Sequence, residues 1–265
     1  MRNMNVESFR NTGVAAAYAG AECLRRYHGR LKSVTKKGAI DLVTEADMAS
    51  EAAIIDILRT AFPDHAVLSE EAGALDTSSH FRWIIDPLDG TTNFVHGLAN
   101  CGISIALTVA GDVVCGIVLD PFGNELFTAT AGGGAALNGH PIRVSETSAL
   151  ADSLLATGFP YNVSELLPEV LKRMGNCLQA SMGVRRLGAA ALDLCYVAAG
   201  RFEGFWEQHL KPWDTAAGML IAVEAGATVT DMAGGPFHVQ SPAIVASNGR
   251  IHTELLTALS IEEDA

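Results

Sequence analysis

Asp86 and Asp89 are the residues from which chemistry is most directly built. They lie in Trp83-Ile84-Ile85-Asp86-Pro87-Leu88-Asp89-Gly90-Thr91-Thr92-Asn93-Phe94, where an apolar strand runs out into Asp86. Pro87 predicts a turn, and Gly90-Thr91 opens a short helix. Two carboxylates brought together repel, and one must take up a proton unless a cation joins them. A hard divalent cation such as Mg²⁺ removes that penalty, because it takes oxygen ligands in a mixed shell of carboxylate, carbonyl and water. The N–H groups of Gly90 and Thr91, at the start of a helix, suit a phosphate. The expected chemistry is a metal and a phosphate meeting at this turn.

Asp, Pro and Gly are also ordinary turn residues, so this stretch alone is compatible with a plain surface turn. The remaining acids decide the matter. Glu70 and Glu71 follow the apolar run at 66–69, and Asp214 follows Pro212-Trp213 at a helix start. Of the first pair Glu70 is favoured, because a single step along a strand reverses side-chain direction and turns Glu71 toward solvent.

The elements that must position these acids are readable from periodicity. Val6, Phe9, Val14, Tyr18, Leu24 and Tyr27 predict an amphipathic N-terminal helix, followed by a polar segment at 33–39 with Lys36 and Lys37. Thr44-Glu45-Ala46-Asp47 predicts a capping box. The helix after it carries its apolar stripe on Ala53, Ile54, Ile57, Leu58 and Ala61 and stops before Pro63. Short buried strands are predicted at 66–69 and 81–85. Antiparallel strands follow at 102–109, 113–119 and 125–129, with turns at Gly111-Asp112 and Gly123-Asn124 and a hairpin signal at Asn138-Gly139. From about residue 145 the pattern changes to alternation. Strands at 153–157, 184–186 and 202–206 are interleaved with helices at 164–180, 189–199 and 213–225. Strands at 228–230 and 243–246 and a helix at 250–259 complete the chain. This predicts an α+β half over 1–145 and an α/β half over 146–265, joined as one compact unit.

Composition narrows the classes. The 265 residues carry 18 Lys+Arg against 30 Asp+Glu, a formal charge of −12, which disfavours nucleic acid and anionic membranes as direct partners. Hydrophobic residues at 49% supply a substantial core. The apolar run at 101–111 stops at Asp112, short of a membrane span. Residues 12–21 are too rich in Ala and Gly for a strong signal-peptide core, so a cytoplasmic protein is expected. Cys23, Cys101, Cys115, Cys177 and Cys195 form no CxxC pair and read as buried, reduced thiols, and the eight histidines show no metal-binding spacing.

Taken together, five segments resemble the inositol monophosphatase family in type and order. They are Asp41-Leu42-Val43-Thr44 with Asp47, Ser69-Glu70-Glu71, the 83–94 segment, Gly183-Val184-Arg185-Arg186-Leu187-Gly188, and Pro212-Trp213-Asp214-Thr215-Ala216-Ala217-Gly218. The resemblance covers nearly the whole chain. It implies a layered α-β-α-β-α sandwich of the inositol monophosphatase and fructose-1,6-bisphosphatase type, commonly a homodimer. It also implies Mg²⁺-dependent hydrolysis of a small polyol phosphate, myo-inositol 1-phosphate first, with sensitivity to lithium.

By the same resemblance, two to three Mg²⁺ ions per subunit are held by Glu70, Asp86, the Leu88 carbonyl, Asp89 and Asp214, with Asp86 bridging two of them and Glu70 shared with a weaker third. Most of these ligands belong to the first half. Thr91 and Asp47 match the pair that activates water, and Asp47 equally completes its capping box. The amides of Gly90 and Thr91 match the phosphate cradle. Gly188, Ala190 and Glu207 match the substrate pocket, beside Asp89 and Asp214. Arg185 and Arg186 fall where the family builds the pocket wall and subunit interface. Ala189 departs from the hydroxyl residue often found there.

Alternatives stay open at this level. An aspartate-nucleophile phosphatase would place its second Asp two residues after the first, whereas the spacing here is three. Fructose-1,6-bisphosphate, histidinol phosphate and nucleotide 3′-phosphates are rival substrates. A protein-binding regulatory role on the same fold is an alternative of another class.

Overall fold

Alternation of apolar residues along the strands builds a layered molecule in which helices and sheets take turns. The computed structural model describes residues 5–36, 42–75, 78–160 and 162–261. Lys37, Ala39 and Asp41 of the sequence expectations lie outside the described residues. Helix α1 (Val6–Tyr27) is followed by a ribbon of β1 (Val34–Lys36) and β2 (Leu42–Thr44), then by α2 (Glu45–Ala61). Next come β3 (Ala66–Ser69), β4 (Gly73–Leu75), β5 (Phe81–Asp89), α3 (Thr91–Val95), β6 (Gly102–Val109), β7 (Asp112–Asp120), β8 (Glu125–Thr130), β9 (Gly134–Leu137) and β10 (His140–Pro141). The strands from β3 onward form one sheet in the order β10-β9-β8-β7-β6-β5-β3-β4, antiparallel except where β3 runs parallel to β5.

The second part contains β11 (Leu154–Thr157), α4 (Val163–Ala180), β12 (Gly183–Arg185), α5 (Ala190–Ala198), β13 (Gly204–Gln208), α6 (Pro212–Glu224), β14 (Thr228–Thr230), β15 (Ala243–Ser247) and α7 (His252–Leu259). Its sheet is mixed, in the order β12-β11-β13-β15-β14.

Side-chain alternation assigns each sheet face to a core. Trp83, Ile85, Ile103, Ile105 and Leu107 face α1 and α2, while Ile84 and Ala106 on the same strands face α5 and α6. In the smaller sheet, Phe205, Ile244 and Ala246 meet α5, and Trp206 and Val245 face the outer pair α4 and α7. The order is therefore α1/α2, large sheet, α5/α6, small sheet, α4/α7, the layered sandwich expected. Among the described residues no helix is long and apolar enough to cross a membrane.

Two stripes differ from expectation. On α1 the buried face is Phe9, Gly13, Ala16, Ala17, Gly20, Ala21 and Leu24, while Tyr18 is exposed. Small residues win because the helices lie so close: a Cβ on Gly20 would come 2.7 Å from Ser50 Oγ and 2.9 Å from Ile54 Cδ1 of α2. On α2 the buried face rotates toward Asp47, Ser50 and Glu51, and Ala61 is exposed. The same closeness holds at the central layer, where a Cβ on Gly116 of β7 would come 2.7 Å from the Ala217 carbonyl oxygen of α6. Backbone cannot yield as a side-chain tip can. Gly116→Ala is therefore expected to lower stability by about 1–3 kcal/mol in denaturant titration; an unchanged midpoint would mean that α6 is free to shift.

The hairpin between β6 and β7 turns on Ala110-Gly111, both with positive φ (53° and 98°), one residue earlier than expected. Asn138 and Gly139 make the same primed turn at the predicted place. All five cysteines are free, with Cys101, Cys115, Cys177 and Cys195 buried.

Candidate active site

The decisive local feature is an irregularity in β5. No turn forms at Pro87, contrary to expectation; the strand continues to Asp89, with Asp86 paired to Ser104 and Asp89 to Gly102. Three steps on β5 thus oppose two on β6, which is a β-bulge of one residue. Residues three apart on a regular strand point to opposite faces. The extra residue reverses that parity and directs both carboxylates to the same side. The Leu88 N–H donates to Asp86 Oδ1 at 2.9 Å, which braces the bulge.

Each acid reaches this place from a different element. Glu70 follows β3, whose parallel pairing with β5 sets it beside Asp86, and its N–H donates to the Ile85 carbonyl at 3.2 Å. Asp214 lies in the first turn of α6, accepting from the Lys211 N–H at 2.6 Å. Asp89 accepts from the Ala190 N–H at 3.2 Å and the Ala191 N–H at 2.8 Å, the amides that open α5. A strand-end carboxylate of the large sheet thereby caps a helix from the far part of the chain, with favourable dipole interaction.

Burial makes these carboxyls costly to ionise. Asp86, 2% exposed, has its pKa raised well above the ordinary range, by burial first and then by Glu70, Asp89 and Asp214 in turn. Burial pushes Asp89 up to about 6, against the lowering effect of the α5 amides. Asp214 is pushed up to about 8 by burial and then by Asp89 and Glu70, against its bond from Lys211. Among the described residues no three acidic, histidine or cysteine side chains are drawn together at finished metal-ligating spacing. Asp86, Asp89 and Asp214 are instead held by amide bonds, and with Glu70 they form a set of electrostatic neighbours. An oxygen-seeking divalent cation is the partner that such a set of donors fits, since it would relieve both repulsion and desolvation.

Asp47 serves two roles at once. Its Oδ2 accepts from Thr44 N–H at 2.9 Å and Thr44 Oγ1 at 2.6 Å, completing the capping box, while Oδ1 accepts from Thr91 Oγ1 at 3.2 Å. The Thr91 hydroxyl also lies 3.0 Å from the Leu88 carbonyl oxygen. Burial raises the Asp47 pKa, with the Thr44 and Thr91 bonds opposing.

Asp89, Gly90, Thr91, Gly188, Ala190, Glu207 and Asp214 all line one cleft, together with Phe159 and Arg186. Asp47, Glu70, Asp86 and Leu88 are not among its lining residues. Gly90 takes the left-handed conformation (φ 89°, ψ 36°), and a Cβ there would press on the Asn100 and Gly188 carbonyls at 3.1 Å. Asn93 Nδ2 ties this corner to the pocket wall, donating to the Asn100 carbonyl at 2.7 Å and the Leu187 carbonyl at 2.8 Å. Glu207 on β13 is pushed up to about 8 by burial and then by Asp214, with Arg186 opposing. Gly158 leaves room for its carboxyl, since a Cβ there would collide with it.

Arg186, one of the two arginines that the resemblance put at the pocket wall, lines this cleft, whereas other contributors were beyond sequence reasoning. Arg186 lies over the Phe159 ring at 5.3 Å, and its charge acts on Asp89, Asp193 and Glu207 alike. Asp193 is fully buried on α5, and among the described residues neither of its carboxyl oxygens has a hydrogen-bond partner. Burial, then Glu207 and Asp89, raise its pKa well above the ordinary range. An acid one turn into a helix carries no local signal for such a position. Ser50 and Glu51 were likewise unmarked by any motif.

The relatives agree with this architecture. A model of the inositol monophosphatase family matches residues 5–264. The Nus factor SuhB of Pasteurella multocida (strain Pm70) is 46% identical over 247 residues, 92% of each chain. The chloroplastic phosphatase IMPL1 of Arabidopsis thaliana is 44% identical over 252 residues, covering 92% of this chain and 68% of the relative. The solved inositol monophosphatase of Anabaena (Nostoc) sp. PCC 7120 superposes with a TM-score of 0.88 at 40% identity, covering 97% of this chain and 96% of that one. With the ordered acids, the bulge and the layered fold in hand, the chain belongs to the inositol monophosphatase family.

Proposed function

We propose that this protein is a Mg²⁺-dependent phosphatase that hydrolyses the phosphate monoester of a small polyol, myo-inositol 1-phosphate being the leading substrate. The observation that carries the reading is the β5 bulge, which turns Asp86 and Asp89 to one side while the Thr91 hydroxyl beyond it bonds to buried Asp47. Support comes also from the Arabidopsis relative, a phosphatase by name, and from the Anabaena inositol monophosphatase.

Glu70, Asp86, Asp89 and Asp214 with the Leu88 carbonyl would hold two to three ions. When bound, Mg²⁺ supplies neutralisation of the phosphate, a lowered pKa for water and stabilisation of the departing alkoxide. The chain's own residues do the rest by positioning. The Thr91 Oγ accepts a proton from the attacking water and passes its own to Asp47 Oδ1. Burial makes that carboxylate more basic, which favours the transfer. As the water oxygen bonds to phosphorus, the ester P–O bond breaks, and the alkoxide leaves to collect a proton. The Gly90 and Thr91 amides cradle the phosphate, while Glu207, Gly188 and Ala190 bound the space left for the polyol hydroxyls. Thr91→Val is expected to reduce kcat by about 10²–10⁴-fold with the fold intact, while Thr91→Ser retains most activity; equal rates for the two variants would remove the hydroxyl relay.

Phosphate release from myo-inositol 1-phosphate, with and without Mg²⁺, tests the function. The same assay on fructose-1,6-bisphosphate, histidinol phosphate and a nucleoside 3′-phosphate ranks the substrates by kcat/KM. No release from any of them at saturating Mg²⁺ refutes the hydrolase reading. Lithium inhibition, measured alongside, tests the weaker metal position.

Two association readings accompany it. Leu167, Leu171 and Leu178 of α4 and the following Met182 form an exposed apolar stripe at helical spacing, which favours a homodimer through this outer layer. A protein-binding role is favoured by relatives called Nus factor SuhB. A pull-down with Asp86→Asn separates that role from hydrolysis, since a contact surface should survive loss of the acid.

A further inference from the structure

Three polar residues on one buried face of α2, at positions i, i+3 and i+4, each grip a different segment of the site. Asp47 accepts from Thr91 Oγ1 at 3.2 Å at the start of α3. The Ser50 hydroxyl donates to the Pro87 carbonyl at 2.9 Å, inside the β5 bulge. Glu51, 4% exposed, accepts through one oxygen, Oε1, from the Ser69 hydroxyl and from the N–H groups of Glu71 and Ala72, the latter two at 3.1 Å each. Those three donors bracket Glu70 in sequence. The corner carrying Glu70 thus has the amides of Glu71 and Ala72 satisfied by Glu51, while the Glu70 N–H bonds to the Ile85 carbonyl of β5. Without that acceptor, these part-buried N–H groups would seek other partners and the corner would rearrange.

We infer that Glu51 is a positioning residue for the cation site, fixing the Ser69–Ala72 corner so that the Glu70 carboxylate is presented toward Asp86. This rests on the metal-dependent reading above. Because α2 also bears Asp47 and Ser50, one rigid helix face registers the water-activating pair, the bulge and the Glu70 corner against one another. Outer partners of this kind typically govern cation affinity by about 10–100-fold.

The discriminating variants are Glu51→Asp, which keeps the charge but withdraws the oxygen by one methylene, and Glu51→Gln, which keeps an acceptor oxygen at full reach. Binding of Mn²⁺ to the whole protein, followed by electron paramagnetic resonance of the free ion, reads affinity independently of turnover, and circular dichroism confirms folding. Glu51→Asp is expected to weaken Mn²⁺ about tenfold or more, and Glu51→Gln to stay within about threefold of wild type. Wild-type affinity in folded Glu51→Asp overturns the inference, as does a loss confined to Glu51→Gln, which would mark a role for charge alone. Failure of the wild-type protein itself to bind Mn²⁺ or release phosphate would instead count against the metal-dependent reading.

Discussion

Asp86→Asn is expected to reduce phosphate release by about 10³-fold or more at saturating Mg²⁺, and at the same time to raise the melting temperature of the metal-free protein. The two effects have one cause. Asp86 is buried and faces the negative charge of Glu70, Asp89 and Asp214, so its ionised form is strongly penalised. That penalty is what a divalent cation would offset, and an amide supplies neither the charge to hold the cation nor the repulsion without it. Asn also keeps an oxygen that can accept the Leu88 N–H, so the bulge should persist. At about 2–4 °C per kcal/mol for a chain of this size, the stabilisation is measurable by calorimetry in chelator. A variant with wild-type turnover, or one that melts earlier than wild type without metal, would contradict the central placement of this carboxyl.

The second large effect is on the pH dependence of stability. A carboxyl whose pKa is higher folded than unfolded holds its proton more tightly in the native state. Folding is then favoured below the unfolded value and progressively penalised as pH rises toward the folded one. Glu207 and Asp214 are both pushed up to about 8, and Asp89 to about 6. The metal-free protein should therefore lose stability from about pH 4 to pH 8, most steeply between about 5 and 6, where all three carboxyls keep their protons only in the folded state, more gently once Asp89 ionises, and level off above about 8. Saturating Mg²⁺ should reverse most of the loss at the alkaline end, because a ligand that binds only the native state stabilises it by mass action. Thermal scans across this range, in chelator and in Mg²⁺, check both signs. A chelated protein that grows more stable from about pH 5 to pH 8 would show that these acids are already compensated within the chain.

Much of the site was legible in the linear chain because its chemistry is written in residue types at strand and helix ends. Glu70 after β3, Asp86 and Asp89 at the end of β5 and Asp214 at the start of α6 stand where apolar runs stop. A carboxylate is tolerated there without disturbing the core behind it. Hydrophobic periodicity was sufficient for most elements, and the Asn138-Gly139 and capping-box signals were realised as written. The failures have particular causes. Pro87 reads as a turn in isolation, but pairing with Ser104 and Gly102 on β6 holds the strand extended and converts the irregularity into a bulge. Tyr18 reads as core, but close approach of α1 to α2 selects the Gly and Ala stripe instead.

Asp47 illustrates the boundary between the two levels. Its spacing from Thr44 specifies a cap, and local sequence has no means of adding that the second oxygen faces a threonine 44 residues later. Glu51 and Asp193 carry no local mark at all, because their importance lies in burial and in what other segments bring against them. The chain by itself determined which acids exist and that they stand near the ends of apolar runs, while the order of the layers was implied by the family resemblance. Tertiary structure alone decided which sides those acids face, that α5 amides 101 and 102 residues away cap Asp89, and how far each proton affinity rises. Hydropathy and turn chemistry act between near neighbours, whereas register, desolvation and mutual repulsion belong to groups that meet only when the sheets and helices have packed.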